Sequence, residues 1–355
     1  MQTYVSPPGI ALGQYDLATD DLATALSRRH PELAGHPDFL AATRAVTGRH
    51  RRRTHPCPDG RVPEPYARED RHRDLRALMQ QAGRQALRRA GVTARDVGAL
   101  VVVQDPPPAE ADPFLDGDLV LALGLPSTTA RVPLTGLSST GAVHALIVAE
   151  DMARTGRSVL VVAAGIHPPL TAVDSDGARA RRTPAALARQ LMVSDGGAAV
   201  VVSREALAAP GLVIEETWQY AHGDSRASAH VGGYLAEEHP GLAALPWLRP
   251  GQERPDFALV HPGGPAPLRS LAESNALPRR ALETSFACIA DEGDLGAASV
   301  LRMLARLHES PPAAESHGLL LGLAPGYLAA ACRVRWTTSA TSQRNRPKLT
   351  HKGAS

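Results

Sequence analysis

Cysteine, lysine and aromatic residues are all scarce in this sequence of 355 residues. The three cysteines, Cys57, Cys288 and Cys332, are too few and too widely spaced for a disulfide framework or for a zinc site with paired ligands. Lysine occurs only at Lys348 and Lys352, so almost all of the basic charge is arginine. The formal net charge of +2 is too small to indicate nucleic-acid binding. We therefore expect no metal ion and no nucleic-acid partner.

Long apolar runs are also absent. No run approaches the roughly eighteen apolar residues that a membrane-spanning helix requires. The first residues, MQTYVSPPGIALG, lack the basic segment and the apolar core of a secretory signal. We therefore expect a cytoplasmic protein that does not bind a membrane.

The apolar residues that are present are mostly Ala, Leu and Val, which suits a buried sheet covered by helices. Strand-like runs alternate with helical patterns, which favours α/β layers, and the length allows two halves of similar size. The patterns predict helices at residues 20–29, 69–90, 113–123, 183–190, 267–275 and 297–308, and strands at residues 10–12, 99–104, 158–164, 198–203, 211–219, 257–260, 318–322 and 329–336.

Residues 133–156 join a loop of small residues to an apolar helix. Backbone N–H groups at a helix N-terminus have no partner within the helix, and the helix dipole is positive there. A nucleophile at this point would find donors for an oxyanion close by. The candidates are Ser138, Ser139 and Thr140, although taken alone these residues are better explained as helix caps.

Two later loops also place polar side chains among small residues. His261 directly follows an apolar strand, and the Pro and Gly residues after it turn the chain at the end of that strand. Asp294 lies in the loop GDLGAA before a predicted helix, where Asp294 or Asp291 would also suit a helix cap. Each residue in isolation is more often structural than catalytic.

The segment TGRHRRRT at residues 47–54 concentrates positive charge. Charge runs usually face water, which favours a solvated loop. The alternative is a clamp for the phosphates of a nucleotide-bearing cofactor, formed by Arg49, Arg51, Arg52 and Arg53.

Taken together, these loops occur in the order and approximate spacing found in one known family. The chain resembles the type III polyketide synthases, the chalcone-synthase-like branch of the thiolase superfamily, over residues 10–336. Besides the central stretch, the motifs that carry the resemblance are ALGL at residues 122–125, SDGGAAVVV at 194–202, HPGL at 239–242, HPGGP at 261–265, GDLGAAS at 293–299 and GLAPG at 322–326.

The resemblance implies an α/β, thiolase-like fold in which two similar βαβ-rich halves pack as α-β-α-β-α layers. Residues 1–205 would form the N-terminal half, which carries the nucleophile, and residues 206–336 the C-terminal half, which carries the His and the Asp. The polar residues 337–355 are predicted to be a disordered tail. The resemblance also implies a homodimer.

Members of the family use a Cys, a His and an Asn. The resemblance places Ser139 at the Cys position, with Ser138 as the neighbouring alternative, His261 at the His position and Asp294 at the Asn position. A Ser hydroxyl needs a general base, whereas a Cys can be held as a thiolate. An ionised Asp only accepts hydrogen bonds, so it cannot donate to the enolate of a decarboxylated malonyl group. Asp294 could instead orient His261, as in a Ser-His-Asp triad.

The pocket also departs from the family pattern. Two Phe residues flank the family's active site, and the resemblance places Val193 and Gly233 at those positions, which predicts a wider cavity. Ala324 replaces a Gly in the GLAPG loop, and Gly326 in the same loop would lie near the oxyanion.

We therefore predict an acyltransferase. It would move an acyl group from coenzyme A or a carrier-protein thioester onto Ser139, and then to a hydroxyl, amine or thiol acceptor, without a permanently bound cofactor. One alternative is a decarboxylative condensing enzyme, in which Ser139 loads a starter that malonyl units extend. The other is a non-catalytic partner of an active synthase.

Overall fold

A computed structural model describes most of the chain. The described residues are 2–52, 68–104, 111–167, 191–209, 211–221, 244–249, 251–261, 265–273, 277–324 and 328–337, together with Ala188 and Leu242. Cys57, most of the helix predicted at residues 183–190 and nearly all of the predicted tail lie outside the described residues.

Eight α-helices lie within these ranges. The long helix α3 has acidic residues in its first turn and Arg88 and Arg89 in its last, an order that complements the helix dipole. The helices are α1 (Thr19–Arg29), α2 (Pro37–Ala45), α3 (Arg68–Ala90), α4 (Leu115–Leu123), α5 (Gly141–Ala153), α6 (Pro265–Glu273), α7 (Glu283–Glu292) and α8 (Ser299–Glu309).

The same ranges contain twelve β-strands. The central ones are continuous runs of apolar residues, as expected for strands that are buried on both faces. The strands are β1 (Thr3–Val5), β2 (Gly9–Leu12), β3 (Tyr15–Ala18), β4 (Arg49–Arg52), β5 (Val97–Gln104), β6 (Ala130–Thr135), β7 (Ser158–Gly165), β8 (Gly196–Ser203), β9 (Gly211–Ala221), β10 (Phe257–His261), β11 (His317–Ala324) and β12 (Leu328–Thr337).

Ten of these strands form one mixed sheet, and β3 and β4 form a separate hairpin. The order in the large sheet is β10-β11-β12-β9-β1-β8-β7-β5-β6, and β2 also pairs with β8. Parallel pairing joins β5 to β6 and β7, and joins β10 to β11. The short strand β1 pairs with β8 on one side and β9 on the other, so it connects the N-terminal and C-terminal parts of the sheet.

Two apolar clusters hold helices against this sheet. The larger cluster includes Leu146 of α5 and Leu304 of α8, packed with Val161 of β7 and Leu320 of β11, and all four are fully buried. The second cluster includes residues of α3 and α4 and covers another face of β5, β7 and β8. The helix α5, which follows the candidate nucleophile, is therefore fixed in the interior of the protein.

The α/β class predicted from the apolar runs is confirmed, and most predicted elements agree with the structure to within a few residues. The sequence patterns missed α2, α7, β1, β3 and β6, which are short or lack a clear apolar period. The solvated loop favoured for the arginine segment is wrong for Arg49–Arg52, which form β4 and pair with β3. Strand pairing uses backbone groups, so a run of charged side chains does not prevent it.

No helix in the described part of the chain combines the length and the apolar character needed to cross a membrane.

Candidate active site

The candidate nucleophile lies in a tight connection between β6 and α5. Ser138–Thr140 form a single 3-10 turn that runs directly into α5 at Gly141. Ser139 is buried, whereas Ser138 is exposed and has a φ of 46°, a left-handed conformation that non-glycine residues rarely adopt. Such strained residues cluster at functional sites, because only the surrounding structure holds them in place.

The strand β11 packs directly against this turn. A Cβ atom on Gly322 would lie 2.6 Å from the backbone oxygen of Ser139 and 2.7 Å from the Cα of Thr140. Real Cβ atoms do not approach other atoms this closely, so only glycine fits at position 322. On the neighbouring strand, Gly322 is the pairing partner of His261. Gly322 thus brings the turn that carries Ser139 next to the end of β10 that carries His261.

We expect Gly322→Ala to displace the nucleophile turn. The added methyl group meets backbone atoms, which cannot rotate away, so overpacking should lower the free energy of unfolding by about 1–3 kcal/mol. A shift of about 1 Å in the turn would slow acyl-enzyme formation by about 100-fold. Thermal unfolding and intact-mass kinetics measure the two effects.

Gly117→Ala is the matched control for this change. Gly117 lies in α4, and the nearest atom to an added Cβ is the end of the flexible Arg131 side chain, 3.4 Å away. The control should unfold no more easily than the wild type and acylate at the same rate. A Gly322→Ala protein that behaves like the control would contradict the close packing described above.

His261 and Asp294 meet inside the protein. His261 is the last residue of β10 and is 2% exposed, and Asp294 lies in the loop between α7 and α8. The His261 Nε2 atom is 2.8 Å from the Asp294 Oδ1 atom. The imidazole and the carboxylate therefore form a close, largely buried pair.

The same carboxylate oxygen accepts hydrogen bonds from two donors in its own loop. The backbone N–H of Gly296 donates to Asp294 Oδ1 at 2.7 Å, and the Ser299 hydroxyl donates to it at 2.9 Å. Ser299 Oγ also accepts from the backbone N–H of Leu295, so the hydroxyl ties the carboxylate to its own loop. These bonds fix the carboxylate before any substrate binds, as an efficient catalytic group requires.

Asp294 is ionised at neutral pH. Burial by itself would raise the pKa of its carboxyl group. This penalty is the largest single effect, but the charge and close contact of His261, the charge of His167 and the backbone N–H of Gly296 together outweigh it and hold the Asp294 pKa well below its usual range. Asp294 is thus an acceptor of hydrogen bonds and a carrier of negative charge.

The structure brings His261 and Asp294 together and places the Ser139 turn against Gly322 beside them. Among the described residues, no hydrogen bond joins the Ser139 side chain to either partner. Apo structures often show loose catalytic hydrogen bonds that tighten when substrate binds.

Comparison with known proteins finds similarity to polyketide-forming synthases. No protein-family model matches the chain. The chain is 27% identical over 281 residues to 1,3,6,8-tetrahydroxynaphthalene synthase of Streptomyces peucetius subsp. caesius, an alignment that covers 73% of each chain. Germicidin synthase from Streptomyces coelicolor, a type III polyketide synthase, superposes with a TM-score of 0.76 at 22% identity, covering 95% of this chain and 100% of that one. This chain has the type III polyketide synthase fold.

A second solved structure, 1,3,6,8-tetrahydroxynaphthalene synthase from Streptomyces coelicolor A3(2), has the same coverage and identity and a TM-score of 0.77. The resemblance expected from the motifs and the thiolase-like fold that it implied are therefore confirmed.

Within this type III polyketide synthase fold, two of the predicted pocket residues are described. Val193 is half-buried and forms a β-bridge with Asp294, so it borders the His261–Asp294 pair. Ala324 ends β11 and is fully buried. The positions of Gly233 and Gly326 lie outside the described residues.

The arginine-rich segment at residues 47–54 begins close to the loop that contains Asp294. The backbone N–H groups of Thr47 and Gly48 both donate to the carbonyl oxygen of Ala290, four residues before Asp294. Arg49, Arg51 and Arg52 follow in β4, whereas their side chains and the whole of Arg53 lie outside the described residues. The backbone thus places the start of β4 at the end of α7 that leads to Asp294.

Sequence reasoning missed the role of Ser299 in holding Asp294. Its only signal is a hydroxyl at the end of the GDLGAAS loop, five residues after Asp294, and a Ser at a helix start is usually a cap. Within the described part of the chain, no three His, Cys, Asp or Glu side chains are grouped to hold a metal ion.

Proposed function

We propose that the protein is an acyltransferase that works through an acyl-Ser139 intermediate. The observation that carries this proposal is the contact between His261 and an ionised Asp294, because a Ser nucleophile needs a base that is supported in this way. The buried turn of Ser139 beside Gly322, the sheet partner of His261, supports the choice of nucleophile.

In the proposed acylation, Ser139 Oγ attacks the carbonyl carbon of a bound thioester. The imidazole of His261 takes the Ser139 proton, and Asp294, 2.8 Å from its Nε2 atom, stabilises the positive charge that forms. The proposed donors to the oxyanion are the backbone N–H of Ser139 and an N–H near Gly326, because the N–H groups of Thr140 and Gly141 already donate to Leu137 and Ser138. The C–S bond breaks and the thiol part leaves.

In the second half of the reaction, an acceptor attacks the acyl-Ser139 ester. The His261 imidazolium returns its proton to Ser139 Oγ as the ester bond breaks. Asp294 stabilises the imidazolium between the two half-reactions, because its negative charge lies 2.8 Å from the ring. Arg49, Arg51, Arg52 and Arg53 are the proposed contacts for the phosphates of a coenzyme A or carrier-protein donor.

The second candidate is decarboxylative condensation with malonyl units. Similarity to a 1,3,6,8-tetrahydroxynaphthalene synthase favours it. The ionised Asp294 weakens it, because this carboxylate cannot donate to an enolate and repels a malonyl carboxylate.

Intact-mass measurement of the protein after exposure to a panel of acyl thioesters tests the proposal. An acyltransferase should gain the mass of one acyl group from donors that lack a carboxylate and should lose it on addition of a suitable acceptor. Release of carbon dioxide from malonyl coenzyme A would favour condensation instead. Failure of every donor to leave an adduct would contradict both enzymatic functions.

We also propose that the protein is a homodimer formed through α4 and β6. Phe114 and Leu121 at α4 are 73% and 81% exposed. Beside α4, β6 is the edge strand of the sheet, and Arg131 of β6 pairs with Asp116 of α4. Exposed apolar side chains beside an unpaired strand edge are typical of an interface between subunits.

Light scattering should therefore give about twice the mass of one chain. Replacing Phe114 and Leu121 together by Glu should shift the protein to monomers, because two charges would be buried in the interface. Leu40→Glu is the control, since Leu40 is an exposed apolar residue on a different helix, α2. A monomeric wild-type protein would rule out this interface.

A further inference from the structure

A second histidine lies beside a buried carboxylate at the same end of the sheet. His167 follows β7 by two residues, and Asp195 immediately precedes β8, where Gly165 and Gly196 are paired. The backbone N–H of His167 donates to Asp195 Oδ1 at 2.9 Å, and His167 Nδ1 lies 3.5 Å from the same oxygen. Asp195 is completely buried, whereas the His167 side chain is 21% exposed.

This second pair is joined to the first by the backbone. Ser194, next to Asp195, donates its N–H to the carbonyl oxygen of Asp294 at 2.7 Å, and Asp294 in turn donates its N–H to Met192 at 2.6 Å. Val193 completes a β-bridge with Asp294. The charge of His167 also contributes to the lowered pKa of Asp294. The loop that carries Asp294 is therefore bonded to the segment that leads to Asp195, the carboxylate that holds His167.

The proposed acylation leaves His261 with a proton that it must keep. A thiolate is a good enough leaving group to depart without being protonated, since an ordinary thiol has a pKa of about 8.5. His261 then remains an imidazolium beside Asp294, and its proton is needed by Ser139 Oγ in the second half-reaction. An imidazolium cannot accept a further proton, so an acceptor that must lose one needs a different base.

We propose that His167, held by Asp195, is that base and that the acceptor is a hydroxyl or an amine. This inference rests on the acyl-Ser139 mechanism. As the acceptor attacks, His167 takes its proton, the new bond to the acyl carbon forms, the bond to Ser139 Oγ breaks, and His261 protonates Oγ. Over one turnover the thiolate leaves as an anion and His167 releases one proton to solvent, so charge and protons balance. A thiol acceptor needs this base least, because it ionises readily by itself.

The test separates acylation from discharge with p-nitrophenyl butyrate, whose p-nitrophenolate also leaves unprotonated. His167→Gln should still give a burst of p-nitrophenolate with one equivalent per protein, because Ser139, His261 and Asp294 all remain and the larger contribution of His261 keeps Asp294 ionised. Discharge of the butyryl-Ser139 ester by water, followed by intact mass, should be about 100-fold slower than in the wild type. Hydroxylamine, a nucleophile that needs no base, should discharge the variant and the wild type equally fast.

His317→Gln is the matched control. His317 also contacts a carboxylate, Glu215, at 3.2 Å, but it begins β11 at the end opposite Gly322. It should discharge like the wild type. His167→Asn serves as a second variant in case the Gln side chain disturbs the fold, and it should show the same slow discharge.

Two results would overturn the inference while leaving the proposed function intact. One is water discharge of the His167→Gln and His167→Asn esters at the wild-type rate. The other is loss of the burst in both variants, which would mean that His167 acts in acylation or in folding. Absence of a burst in the wild type would instead reject the acyl-Ser139 mechanism and this inference with it.

Discussion

Replacing Ser139 by Ala should abolish the acyl-enzyme. The proposed intermediate is an ester of the Ser139 hydroxyl, and alanine leaves no group in the turn that can form it. The rate of acyl transfer should fall by about 10,000-fold or more, as expected when the nucleophile of a cooperating catalytic set is removed. Only one oxygen atom is lost, so the variant should still fold. Intact mass after incubation with the best donor of the thioester panel measures the effect.

Ser138→Ala is the matched control for this experiment. Ser138 is the adjacent residue and the alternative nucleophile, but it is exposed, whereas Ser139 is buried against the strand that pairs with β10. Alanine tolerates the left-handed conformation of position 138 about as poorly as serine does, so the backbone should change little. The control should acylate normally. An adduct on Ser139→Ala and none on Ser138→Ala would assign the reaction to Ser138 instead.

The second large effect is expected at Asp294. Asparagine has almost the same shape as aspartate but carries no charge, so Asp294→Asn would leave the His261 imidazolium without its counter-charge at 2.8 Å. Acyl transfer should fall by about 100- to 10,000-fold. Asp291→Asn removes the same charge from a more exposed position that pairs with Arg306 at the surface, and it should have little effect.

The double change Ser139→Cys with Asp294→Asn should move the chemistry toward condensation. A Cys near an imidazole can be held as a thiolate, and an Asn can donate a hydrogen bond where Asp294 can only accept one. Removal of the carboxylate also removes the repulsion of a malonyl group. The double variant should release carbon dioxide from malonyl coenzyme A, and the wild type should not. Equal release by both proteins would contradict the role proposed for Asp294.

Asp294 should also leave a signature in the pH dependence of stability. Its pKa is depressed in the folded protein, so its ionised form stabilises the fold above the ordinary Asp pKa of about 4, and this contribution is lost as the pH falls further. The difference in stability between the wild type and Asp294→Asn should therefore shrink as the pH falls below about 4.

The sequence by itself determined the local elements and the family likeness. The strands β5, β7 and β8 can be predicted from neighbouring residues alone, because a continuous apolar segment must be buried on both faces in any fold. The motifs around Ser139, His261 and Asp294 likewise depend on residues that are adjacent in the chain. Segments without such a pattern, such as the arginine-rich β4, were assigned wrongly because only pairing with β3 makes them strands.

Only the tertiary structure decided how these residues meet. Gly322 begins the GLAPG motif, but the sequence does not show that its missing side chain allows β11 to approach the Ser139 turn while Gly322 pairs with His261. Three other contacts could not be predicted from the sequence. They are the contact of His261 Nε2 with Asp294, the hydrogen bond from the Ser299 hydroxyl to Asp294, and the pairing of His167 with Asp195. The physical reason is that contacts between residues far apart in the chain are fixed by packing and strand register, which no local pattern of residues records.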